Sequence, residues 1–554
     1  MPGTPPGKGK PAAKAARHPS PGGIRRVYPT TMTSAHPADA PQQDKLLFWG
    51  CFLAMITTSL AFITRAFLCN DPGLWPATFG LDKVQAAELF GAGIWSFALS
   101  IILFSLVIDR IGYKAAMAFS FLCYAGYAVF ALMAYDTVAA GTPEAQRAAY
   151  WLLYAGSVIL GLGNGTVEAF TNPVVATLFS REKTKWLNIL HAGWPAGLVI
   201  GGLLSIGLAD QVKADWRILV YLLAAPAVVF VAILARCRFP VNERVASGTS
   251  YREMLAEFGV FGAALAAFLM CRQMDQVFEA WTATTTWIVL AVSVGAFAAY
   301  ARSLGNGLLI LLCVVMIPLA TTEIGTDGAI TGIMEAPLKE VGAHPLWVLI
   351  YTSAIMAILR FNAGPIVSRI SPLGLLAVSA VLAIAGLFWL SAASGLVAIF
   401  AAATLYGFGK SFFWPTTLGV VSEQTPKGGA LTLNAIAGIG MLAVGIVGGP
   451  AIGAIQEASA KDAIVAKLGA EAYGKVSKQA SYFLGDYTAV DEAKVAALPK
   501  AEADQLHAAV EGSRQGSLRT IALFPAVMLV VYLGLIAWFR RKGGYKPVTL
   551  GSAH

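Results

Sequence analysis

Two stretches decide the reading of this chain: Ser105-Leu-Val-Ile-Asp109-Arg110-Ile-Gly112-Tyr-Lys114 in the first half and Gly364-Pro-Ile-Val-Ser368-Arg369-Ile-Ser371-Pro372 in the second. Each closes one apolar run and opens the next. The echo continues downstream. Gly161-Leu-Gly163-Asn164-Gly165 is answered by Gly407-Phe-Gly409-Lys410-Ser411. Each leads to a proline, Pro173 or Pro415, and then to a short loop, Ser180-Arg-Glu or Ser422-Glu-Gln. Each loop enters a Gly-rich run with an Asn near its start, Asn188 or Asn434. Order and direction match throughout. Two parallel six-helix repeats are the architecture of a transporter whose halves rock around a central site.

Composition places these repeats in a bilayer. Hydrophobic residues make up 57% of the 554 residues and charged residues only 13%, about half the charge of a soluble protein. So few charges cannot cover a water-exposed surface, and so much apolar sequence excludes disorder for most of the chain. Six Cys without a CxxC pair or a Cys/His cluster exclude a disulfide scaffold and a structural zinc site. The net charge of +9 sits mostly at the ends of apolar runs, which marks topology rather than a nucleic-acid surface.

The first apolar run, near 47–68, is long enough to cross a bilayer and too long for a signal peptide. Further helices are expected near 87–108, 115–135, 150–179, 187–208 and 217–236. Two shorter segments follow near 256–271 and 285–301, then six more near 304–333, 345–366, 373–393, 396–421, 429–454 and 518–539. The total is about fourteen, or about twelve if the two short segments do not span. The expected organisation is a basic disordered tail (1–44), a six-helix bundle (45–236), a link with two extra helices (237–303), a second six-helix bundle (304–540) and a short tail (541–554). An insert over 455–517, polar and rich in Ala, Lys and Glu, is expected to be helical. Lys and Arg gather in the tails, the 109–114 and 180–186 loops and the link. The positive-inside rule makes that side cytoplasmic, with both termini there and the insert outside.

The first quoted stretch resembles the loop signature of the major facilitator superfamily, G-x-x-x-D-[RK]-x-G-[RK]-[RK], with Ser105 and Tyr113 as departures. The resemblance covers 45–454 and 518–540. It implies an all-α membrane protein with the two-repeat major facilitator fold. The two extra segments are similar to an insertion seen in some members, notably peptide transporters, but the first helix lacks a peptide-transporter motif. In the fourth helix, G-L-G-x-x-x-x-E-x-x-x-N-P (Gly161 to Pro173) resembles the fucose and glucose symporters of the superfamily. That likeness implies Glu168 as the proton-linked carboxylate and Asn172 as a motif residue. Those symporters carry an acidic residue in the first helix, where this chain has Arg65. Asp109 is implied to meet a helix N-terminus of the other half. Arg110, Lys114 and Arg369, with carboxylates such as Glu182, would complete a cytoplasmic gate.

Ionisable groups inside spans are costly and usually face a cavity or a partner. Glu168 lies mid-run and can act as a proton carrier, neutral in one state and ionised in the other; the alternative is a structural pair with a cation. Lys410, opposite Asn164 in the repeat, needs a counter-ion, either a carboxylate such as Glu168 or a bound anion. Arg65 is either a binding residue or an interfacial arginine. Arg360 lies roughly 12 Å deep, about eight residues before the inner loop, placed to meet an anion or to reach the surface. Glu323 and Asp327 share one helix face; like charges that close either raise one pKa or need a cation such as Arg65, and the pair lines the pathway, offers oxygens to a sodium ion, or is an ordinary outer loop entrance. His191, which titrates near neutral pH, is a candidate for the solute and proton pathway or a hydrogen-bonded interface residue; Trp194 and Trp414 are candidates to stack on a solute face or fill the membrane interior.

The expected function is secondary active transport of a small polar, sugar-like solute, with the proton as coupling ion and no cofactor. The alternative is an organic-anion or drug antiporter, and a remote one a non-transporting sensor. No enzyme motif, P-loop or metal-ligand cluster is present in the sequence. The expected partners are the solute and the lipid bilayer, with no nucleic acid, and the chain is expected to be monomeric in the cytoplasmic membrane.

Overall fold

Apolar runs of this length, once out of water, must satisfy every backbone group internally, and helices do so segment by segment. The computed structural model describes residues 40–71, 73–482 and 485–550, and it is built almost wholly this way. Most of the predicted 1–44 tail, and residues 551–554, lie outside the described residues.

The first bundle comprises α1 (Gln43–Asn70), α2 (Lys83–Ile111), α3 (Tyr113–Val138), α4 (Pro143–Leu178), α5 (Lys183–Gly207) and α6 (Arg217–Arg236). Two intervening helices follow, α7 (Tyr251–Val277) and α8 (Ala283–Ala301). The second bundle comprises α9 (Gly307–Ile333), α10 (Trp347–Phe361), α11 (Pro372–Leu390), α12 (Leu396–Gln424), α13 (Pro426–Leu468) and α14 (Leu523–Arg541). Twelve helices among the described residues are long and apolar enough to cross a membrane. Two helices fall outside that twelve: the 36-residue α4, with its polar centre, and the short α10. Both stand where the repeat requires a span.

The Gly motifs explain how the bundles close. A Cβ on Gly161 or Gly165 would strike the backbone of α2, and one on Gly163 would strike Cys123 of α3. In the second half Gly409 abuts Ala383 of α11 and Gly407 abuts Ile355 of α10. Without a hydrophobic drive between helices in lipid, such small residues bring backbones into contact.

The intervening helices are longer than the sequence suggests. Helix α7 packs against α9 and α13, whereas α8 touches little besides α7. Gly259 kinks α7 at φ +65°, where the Gly305 backbone crosses it.

The insert differs from expectation. It begins as a continuation of α13 to Leu468, but it contains an antiparallel hairpin, β1 (Ser477–Tyr482) and β2 (Gly485–Val490). The sequence there has the β-favouring residues Tyr482, Tyr487, Thr488 and Val490 and, between the strand cores, Gly485 at φ 137°, which favour a turn and strands over the helix its Ala/Lys/Glu content suggested. The insert packs a small apolar core of its own around Ile464, Val476, Val495 and Leu506. Gln515 ties it to the carbonyls of Leu390 and Ala393, at the end of the bundle away from the basic loops.

Candidate functional site

Prolines set the centre of the molecule. Each removes the N–H that would bond the carbonyl four residues earlier. Pro173 frees Ala169, Pro195 frees His191, and Pro415 frees Ser411. Buried carbonyls need donors, and each of these finds one on a side chain. Asn434 Nδ2 donates to Ala169 (2.9 Å), while Arg360 donates to His191 (Nη1, 3.1 Å) and to Ser411 (Nε, 2.5 Å). Helices α5 and α12 are interrupted at these points, at His191–Ala192 and Ser411–Phe412.

Around these breaks lies a narrow void lined by Glu168, His191, Trp194, Glu323, Arg360 and Trp414, with Ile324 and Met441. Glu323 sits on a π-helical turn, Thr321–Gly325, a distortion often found at functional sites. Its carboxylate accepts from Arg360 Nη2 (2.5 Å) and from the Trp414 N–H (3.0 Å), an otherwise unpartnered donor at a helix start. Among the described residues Glu168 is held only by the amide of Asn172, at 3.5 Å. Asn172 also meets His191 Nε2 (3.0 Å) and the Asn434 amide (3.4 Å). The two Asn residues of the repeat thus act alike: Asn434 crosses to α4, and Asn188 Nδ2 crosses to Thr416 of α12 at 3.2 Å.

Several expected partners are corrected. Lys410 is fully buried and pairs with Asp327 of its own half, not with Glu168, and it lies near the Tyr406 ring. Its long stem reaches Asp327 on α9, so no bound anion is required. Glu323 and Asp327 each have their own cation, and neither uses Arg65. Arg65 is buried over the Phe90 ring (5.3 Å), in space that a Cβ on Gly93 would fill, and its Nε and Nη1 have no acceptor among the described residues. Arg360 does not reach the surface, and instead of awaiting an anion it pairs with Glu323, each of its three guanidinium nitrogens donating to a protein acceptor. Asn164 lies outside the void lining, accepting from Tyr124 Oη (2.7 Å), which in turn meets Thr58.

The basic face is closed by contacts between halves. Asp109 pairs with Arg244 of the link at 2.6 Å. It reaches the start of α13 only through Arg244, whose Cβ abuts Gly429. Arg110 stacks on Tyr251 (4.4 Å) instead of pairing with Glu182, which is held by Lys185 (3.0 Å). Lys114 caps the Ala235 carbonyl, and Arg369 is exposed without an ion pair among the described residues. Sequence reasoning missed the contacts that carry most of the closure. Lys183 binds Glu243 (2.5 Å) and the Ser422 carbonyl. Glu423 accepts from Thr184 N (3.2 Å) and from Tyr545 Oη (2.7 Å). Burial and the adjacent Glu423 carboxylate hold the Tyr545 phenol well above its ordinary range, so it remains a donor. The available signal was the repeat itself: Glu182 and Glu423 occupy sister loops.

Gly419 lets α12 close on Thr184, since a Cβ there would collide with it. Gly419→Val overpacks this contact, at a cost of about 1–3 kcal/mol, and should depopulate the closed gate about tenfold. The check is maleimide labelling of Thr177→Cys in the crevice between halves, over a background of six buried native cysteines. Unchanged labelling would show that Gly419 does not control closure.

The sequence model of the Major Facilitator Superfamily matches residues 47–450. The fold is similar to that of the E. coli fucose:proton symporter FucP (TM-score 0.51, 15% identity, covering 87% of this chain and 98% of that one). It is also similar to the proton:xylose symporter XylE (0.55, 14%, 88% and 96%) and to the human organic anion transporter MFSD10 (0.51, 14%, 88% and 99%). A relative in Aspergillus aculeatus, the Acurin A biosynthesis cluster MFS-type transporter, is 25% identical over 212 residues. That alignment covers 37% of this chain and 35% of the relative, so the chain matches about a third of that protein's length.

Proposed function

This chain belongs to the Major Facilitator Superfamily, a family of membrane transporters, and we propose that it carries a small polar, sugar-like solute together with protons by alternating access. The observation behind this reading is Glu168. Among the void's charged side chains it alone lacks an opposite charge, since Arg360 and Glu323 neutralise each other. Ionised, it is an unpaired charge in the interior, which costs several kcal/mol; protonated, it is neutral. Closing the void over Glu168 therefore calls for a proton, and opening it to water releases one. Trp194 and Trp414 supply flat apolar faces, and His191 and Asn172 supply polar groups, a lining suited to a hydroxylated solute. Symport in FucP and XylE, as named, agrees with this reading. The Lys and Arg distribution supports a cytoplasmic membrane location with both termini inside.

The second reading, an organic-anion antiporter, has one observation in its favour: two nitrogens of Arg65, Nε and Nη1, without an acceptor among the described residues. Proteoliposomes with an imposed pH gradient, offered sugars, polyols and organic anions, test both. Gradient-driven accumulation of a neutral hydroxylated solute is expected. Flux indifferent to the gradient would overturn proton coupling, and uptake confined to anions would transfer the reading to the second.

A further inference from the structure

Arg360 has one feature that ion pairing does not explain. Its three donating nitrogens go to three different elements. Nη2 holds Glu323 on the π-turn of α9, Nε holds the Ser411 carbonyl in α12, and Nη1 holds the His191 carbonyl in α5. The first two elements belong to the second bundle and the third to the first. Both carbonyls are free because a proline stands four residues later. Arg360 is 1% exposed, so water cannot take its place. A guanidinium offers a rigid planar fork of donors, and a lysine ammonium does not reproduce it.

We infer that Arg360 is a positioning residue that locks the two bundles together at their centre, the His191 carbonyl being its catch. The catch lies on the moving side of the interface: rocking the halves apart breaks the Nη1 bond and leaves the intra-bundle bonds to Glu323 and Ser411 in place. Pro195 is then part of the lock, because it keeps the carbonyl available. An α5 with an N–H at position 195 would satisfy His191 internally and let go of Arg360. The inference requires alternating access alone. It holds whether or not protons are coupled, and its test uses no solute.

The test is the distance between spin labels at Arg181→Cys and Ser368→Cys, exposed positions in opposite halves that line the cleft at the basic face. The labels go on the full chain in nanodiscs, with the unsubstituted chain as labelling control. Pro195→Ala should raise the long-distance, gate-open share at least about fivefold, the low end of coupling between linked elements. Arg360→Lys should do the same. The double variant should open no further than Arg360→Lys alone, because both changes break one bond. An unchanged distribution in Pro195→Ala, or additive effects in the double variant, would overturn the lock. If Arg360→Lys fails to fold, Pro195→Ala alone decides. The gradient experiment above can fail without touching this result.

Discussion

Glu168→Gln should exchange solute across the membrane and yet accumulate none against a gradient. Gln keeps the shape and the hydrogen bond to Asn172 but fixes the neutral state. The void can then close with or without solute, and movement no longer needs a proton. One pH unit stores about 1.36 kcal/mol per proton, which supports about tenfold accumulation. That factor should fall to about one in the variant, while counterflow of labelled for unlabelled solute persists at a rate near that of the unsubstituted chain. Accumulation at the original level would remove Glu168 from the coupling step. Loss of both modes would make it a solute contact or a structural group. Asn172→Ala provides a graded comparison. It strips Glu168 of its hydrogen bond at 3.5 Å and also disturbs the contacts to His191 and Asn434, so counterflow should slow as well.

The architecture was legible because the signals that build it are local. Apolar runs set the spans, and the repeated Gly and Pro positions mark where helices touch and break. The two repeats could be read from Asp109-Arg110 and Ser368-Arg369 without any contact being known. The partner of each charge could not. Spacing along a helix shows that Glu323 and Asp327 share a face. It does not show that one meets Arg360 from α10 and the other Lys410 from α12, because those pairings depend on how the helices are rotated in the bundle. The gate shows the same divide. Arg244 in the link reads as topology charge and Glu243 beside it gives no signal of its own, yet they take Asp109 and Lys183. The proline rule offered a better clue than charge. Pro173, Pro195 and Pro415 each announce a carbonyl in need of a donor, and only the fold reveals that Asn434 and Arg360 supply it. The hairpin in the insert was hidden by composition averaged over a segment whose strands are six residues each.

Removing Lys410 should damage stability far more than solute selectivity. Lys410 Nζ has no exposure and sits on the carboxylate of Asp327. Lys410→Met leaves Asp327 as a buried charge without a partner, a loss of about 3–5 kcal/mol. The partner change Asp327→Asn leaves the ammonium stranded and should cost a similar amount. Combining the two removes both charges. Replacing a buried pair by neutral groups is often tolerated, so the double variant should recover most of the lost melting temperature in detergent. A non-additive cycle of this kind identifies a pair whose members matter chiefly to each other. Transport by the double variant then separates structure from function. Uptake of neutral and anionic solutes reduced in equal proportion is expected if the pair only braces α9 against α12. A double variant as stable as the unsubstituted chain but deficient only toward anions would mean that Lys410 leaves Asp327 during the cycle to meet the solute. The closed geometry argues for bracing. Tyr406, whose ring lies 5.4 Å from the ammonium, donates through its hydroxyl to the Thr322 carbonyl at 2.6 Å, within the π-turn that carries Glu323. Asp327, Lys410 and Tyr406 therefore form a support behind Glu323, which in turn holds Arg360 where it can reach the other half.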